Sequence, residues 1–64
     1  MTNKDYALIA KVIKNQRNYA IGHPHEMNRL EGLTIEICVE LHNQNSKFNP
    51  NAFYKSCGFD NLAT

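Results

Sequence analysis

Two breakpoints decide what this chain can fold into, and the stronger is Gly22-His23-Pro24. Glycine permits a turn there, and the proline ring disfavours helical backbone at His23 before it. On either side of the break, apolar residues recur at intervals of three and four. That is the spacing of side chains stacked on one face of a helix. Residues 3–17 read as the first helix, with Tyr6, Leu8, Ile9, Val12 and Ile13 on one side and Lys4, Lys11, Lys14 and Asn15 on the other. Thr2 or Asn3 caps its start, Asp5 sits where a negative charge suits the helix dipole, and Lys14 and Arg17 suit the opposite pole. Residues 18–24 then form a connection, with Tyr19 and Ile21 expected to tuck beneath it.

Beyond the break, residues 25–44 read as the longest helix, with Pro24 suited to its first turn. Met27, Leu30, Thr34, Ile37, Cys38 and Leu41 make its stripe, with Leu33 at the edge. Gly32 costs such a helix about 1 kcal/mol relative to alanine. The run from Leu33 to Val39 also alternates like a strand and is rich in β-branched residues. Its flanks are helix-compatible, however, and the period of three and four continues through both, so the helix is the expectation. Ile35 and Val39 lie off the stripe, four residues apart, as a second small apolar face. Either the third helix or the 18–24 connection covers them, or a partner does.

The second breakpoint opens the clearest local signature. In Phe48-Asn49-Pro50-Asn51-Ala52-Phe53, Asn49 reads as the cap, Pro50 as the first helical residue, and Phe48 and Phe53 as a hydrophobic staple. Gly58 reads as the stop of this helix over 50–57, in the left-handed position of a Schellman arrangement, with Phe59 folding back on Tyr54. Residues 60–64 are expected to be a frayed tail. The expected fold is therefore all-α: one domain over 1–64, two longer helices plus a short C-terminal one. Its expected core is Leu8, Ile9, Val12, Ile13, Leu30, Leu33, Ile37, Leu41, Phe48, Phe53 and Phe59.

Sixty-four residues bury only about 60% of the surface the unfolded chain exposes, and such a core supplies roughly 3–5 kcal/mol. A metal, a disulfide or a second subunit commonly adds to it. There is also little wall for a ligand cleft, which needs about 300 Å³. Seven basic and six acidic side chains nearly cancel, so no global field draws the chain to nucleic acid or anionic membrane. The opening Met1-Thr2-Asn3-Lys4-Asp5 lacks an apolar signal core, and no apolar run reaches the ~18–20 residues of a membrane span. A cytoplasmic setting follows as the expectation, with Cys38 and Cys57 as free thiols. Spacing alone also permits a disulfide between them.

Four candidate chemistries arise. His23-x-His25 with Cys38-x3-His42 supplies four zinc-type ligands, but structural sites use two close pairs around a compact turn. Cys38 also belongs to the apolar stripe, and His42 suits a helix C-terminus without metal. No metal and no cofactor are expected. Cys57 is a thiol at a helix C-terminus, where the dipole opposes thiolate formation, and no base is tied to it. Glu36 and Glu40 share a helix face as acid–base chemistry requires, but near Arg29 they read as a solvated charged face. With no glycine-rich phosphate loop either, no enzyme activity is expected. Finally, Lys4, Lys11 and Lys14, with Asn15 beside them, form a basic face able to touch phosphates and base edges. The 18–24 connection is too long for a helix-turn-helix, and dedicated nucleic-acid domains are strongly basic. Nucleic-acid binding is thus the alternative to a protein-interaction surface made of Gly32, Ile35 and Val39, whose expected occupant is a partner or a second copy in a homodimer.

Asp5-Tyr6-x-Leu8-Ile9-Ala10 at one end and Phe48-x4-Phe53-x3-Cys57-Gly58-Phe59 at the other cover about a third of the chain. Together they resemble small uncharacterised bacteriophage proteins that close on an aromatic-x4-aromatic-x3-Cys-Gly helix. The resemblance implies a phage gene product in the bacterial cytoplasm that binds and modulates a host protein, a defence nuclease being one such target. It carries over no catalytic residue.

Overall fold

Thr2 and Asp5 start the first helix by bonding each other. In the computed structural model, which describes residues 2–59, the Asp5 carboxylate accepts from the Thr2 N–H at 2.9 Å, and Thr2 Oγ1 accepts from the Asp5 N–H at 3.4 Å. This capping box opens α1 (Asn3–Ala20). The helix runs three residues past the end expected from sequence, because nothing in Asn18-Tyr19-Ala20 breaks it. The break waits for Gly22, whose φ of 87° only glycine adopts readily, and the His23 N–H closes on the Ala20 carbonyl at 2.9 Å. The connection thus shrinks to 21–23.

The added turn overturns the placing of Tyr19 and Ile21 beneath a connection. They are 76% and 61% exposed, while Ala20 takes the inward position. A second correction concerns which face of α1 points inward. Ala10, Ile13 and Ala20 are buried and Tyr6 and Ile9 pack beside them, whereas Leu8 and Val12, both expected in the core, are 62% and 54% exposed. The aromatic cluster at the other end of the chain needs room, and the small side chain of Ala10 provides it. α1 therefore turns its alanine line inward and its Leu8–Val12 line out.

α2 (Pro24–Gln44) is one continuous helix through 33–39, so the strand alternative is excluded. Thr34 and Cys38 form the buried centre of its inner face. Thr34 Oγ1 donates to the Leu30 carbonyl at 2.8 Å, which satisfies the one buried hydroxyl in that line. Met27, Leu30, Ile37 and Leu41 pack half-buried around it. Leu33, the remaining expected core residue on this helix, is instead 54% exposed.

α3 (Pro50–Ser56) has the start and stop its sequence spells out. Asn49 Oδ1 accepts from the Ala52 N–H at 3.1 Å, and the Phe48 and Phe53 rings meet at 5.5 Å. At the other end Gly58 has φ 94°. Its N–H donates to the Lys55 carbonyl at 2.9 Å and that of Phe59 to the Tyr54 carbonyl at 3.4 Å, the paired bonds of a Schellman stop. Phe59 lies on Tyr54 with ring centroids 5.0 Å apart. Phe48 also meets Tyr6 of α1 at 5.0 Å. Each helix packs against the other two, and the whole measures 34 × 25 × 15 Å. The tail over 60–64 lies outside the described residues.

Candidate functional site

α3 crosses α2 beside Ile35 and Val39 without covering them. Phe48, Phe53 and Tyr54, the residues best placed to do so, are drawn into the core. Pro50 at the start of α3 instead forms one wall of an open groove of about 220 Å³, whose other lining residues are Ile35, Cys38, Val39, His42 and Asn43. Ile35 is 36% and Val39 52% exposed. Gly32 lies on the same flank one turn earlier, and a β-carbon there would touch nothing within 4 Å. The floor is the buried Cys38, whose Sγ–H points to the Pro50 carbonyl at 3.8 Å. A short apolar trough with an imidazole and an amide at its rim results.

A larger hollow, about 420 Å³, lies between α1, the 45–49 connection and α3. Tyr6, Ala10, Phe48 and Phe53 form its base, with Asn3, Asn45 and Lys47 among its rim residues. Sequence reasoning missed it, because it exists only where three separate segments meet. Asn45 at its edge is already engaged, accepting from the Lys47 N–H at 3.1 Å.

The zinc-type residues do not converge. His23 precedes α2 and His25 lies in its first turn, while His42 lies in its last. Seventeen residues of helix separate the latter two, about 25 Å at 1.5 Å per residue. Among the described residues no group of three or more His, Cys, Asp or Glu side chains stands close enough to hold a metal ion. The carboxylates Glu36 and Glu40 are both on exposed helix surface.

Both thiols are free and buried, Cys38 in α2 and Cys57 at the end of α3. Burial pushes both up, Cys57 to about 11 with the neighbouring Cys38 adding to the effect. Protonated at neutral pH and out of solvent, neither is a nucleophile.

Lys4, Lys11, Lys14 and Asn15 are all exposed on α1. Lys14 differs from the others. A β-carbon on Gly58 would stand 3.5 Å from its Cγ and 3.1 Å from Arg17 Cδ, so both stems run over the end of α3. The Arg17 guanidinium lies 5.6 Å above the Phe59 ring, a cation–π contact. Sequence reading assigned Arg17 only to the helix dipole; its role in clasping α3 depends on tertiary packing.

Comparison with known proteins finds no match among protein-family models, curated proteins or solved structures.

Proposed function

We propose that this chain is a non-catalytic protein-interaction module whose partner inserts an apolar side chain between α2 and α3. The observation that carries this reading is the uncovered pair Ile35 and Val39, held open as a trough by Pro50. A trough of this size suits a single apolar anchor the size of leucine or phenylalanine, and a few side chains buried in such pockets carry most of an interface's binding energy. The resemblance to small phage proteins supports a host protein as the partner, in the bacterial cytoplasm, with a defence-system component as one target. Among the described residues no helix is long and apolar enough to cross a membrane.

The test is recovery of a defined host protein on immobilised chain, compared with Ile35→Lys and Val39→Lys. Neither side chain belongs to the core cluster, so the variants should stay helical by circular dichroism while losing the captured protein. Nuclease treatment decides the alternative, since Lys4, Lys11, Lys14 and Asn15 remain exposed on α1. Recovery abolished by nuclease and by removing the three lysines, with steep loss as salt rises, would replace the protein reading with a nucleic-acid one.

A further inference from the structure

α3 packs against one side of the α1–α2 hairpin and leaves the opposite side bare. On α1 the residues facing α3 are Tyr6, Ala7 and Ala10, with Lys14 and Arg17 toward its end. On α2 they are Ile35, Cys38, Val39 and His42, the residues against Pro50. At about 100° per residue, Leu8, Val12 and Tyr19 fall within about 40° of one another on the other flank of α1. Leu33 falls about 160° round α2 from Ile35, on the matching flank. These four large apolar side chains are 62%, 54%, 76% and 54% exposed. They leave on the order of 400 Å² of apolar surface on this side, the size of the largest apolar patch of a typical monomer, which is often a functional one.

The edges of this face carry opposite charge. Lys4 and Lys11 follow the outer edge along α1, and Glu36 and Glu40, with Arg29 about two turns before them on the same line, follow the outer edge along α2, leaving it net negative. Because the helices run antiparallel through a short turn, Lys4 lies about level with Glu40, and Lys11 lies about one turn from the level of Glu36. We infer that this face binds a second copy of the chain through a two-fold axis parallel to the helices, so that α1 of each copy lies over α2 of the other. That pairing sets Leu8 and Val12 of one copy against the Leu33 region of its partner and each lysine edge against a glutamate edge. The perpendicular arrangement, α1 on α1, would oppose lysine to lysine and glutamate to glutamate. A standard interface takes about 800 Å² from each partner, and the stems of the rim lysines and glutamates add to the apolar surface toward that area. The dimer uses a different face from the α2–α3 groove and stands or falls independently of it.

Sedimentation equilibrium tests the inference up to ~100 μM, a range that detects even micromolar Kd values. The wild type is expected to dimerise, with Kd rising as salt rises because opposite charges attract across the rim. Val12→Glu and the two charge reversals, K4E/K11E and E36K/E40K, are each expected to weaken dimerisation by about tenfold or more. Mixing the two reversed variants should restore a heterodimer, since both contacts become attractive again. Circular dichroism of each variant checks that these exposed substitutions leave the fold intact. A monomer throughout the range overturns the inference. So does a dimer that survives Val12→Glu but is lost in Ile35→Lys, which would move the interface to the groove.

Discussion

Gly32 and Gly58 show how much a glycine's meaning depends on its surroundings. Gly32 lies within α2 with open space where a β-carbon would go, so Gly32→Ala should raise stability by about 1 kcal/mol through helix propensity. Gly58 combines φ 94° with too little room for a side chain, since a β-carbon there would stand 3.1 Å from Arg17 Cδ. Gly58→Ala should therefore lower stability by roughly 1–2 kcal/mol. Urea titration of the two variants should move the midpoint in opposite directions. Cys57 gives a pH prediction. Its folded value, about 11, stands above the ordinary thiol value of 9.0, so the folded state holds the proton more tightly than the unfolded chain does. Its contribution is thus intact below pH 9 and lost as pH rises from 9 through 11. Cys57→Ser should flatten that alkaline fall in stability, followed by denaturant midpoints across the range. At neutral pH, alkylation of either thiol should need unfolding and so proceed no faster than chain opening.

Among the elements, α3 was the most legible and α1 the least. Asn49, Pro50 and Gly58 act on the backbone within a few residues of themselves, so their effect can be read wherever they occur. Phe48 and Phe59 likewise find their ring partners inside the same short segment. The inward face of α1 has no such local determinant. A reading weighted by hydrophobicity favours Leu8 and Val12, whereas packing favours Ala10 because α3 must come close there. The trough at Ile35 and Val39 was legible as a second apolar face, but its opening depends on where Pro50 lands. The larger hollow on the α1 side of α3 left no signal at all. These differences predict mutational costs. Asn49→Ala should lose about 1 kcal/mol by uncapping α3. Phe53→Ala should lose about 3–5 kcal/mol, enough to unfold so small a domain. Both follow from thermal or denaturant melts, and Leu8→Ala should cost far less than Phe53→Ala despite its larger weight in a sequence-based core.

For the whole molecule, the inferred dimer has a thermodynamic signature apart from mass. A partner that binds only the folded chain stabilises it by about 2.7 kcal/mol at a concentration ~100 times Kd. The wild-type melting temperature should accordingly climb with protein concentration, and that of Val12→Glu should not. A shift of about 4–8 °C for each kcal/mol is the scale for a domain of this size.

The shortness of α3 also bears on how the chain comes apart. Seven residues are about half of what an isolated helix needs to persist in water, so α3 has no existence apart from the hairpin. Lifting it would bare Phe48, Phe53, Tyr54 and Phe59 at once, along with the buried centre of α2. The hairpin without α3 would then lack most of its core, and a half-folded species would be costlier than either end state. Melting should therefore be all-or-none, with calorimetric and van't Hoff enthalpies equal and the α3 amides exchanging with solvent only through opening of the entire chain.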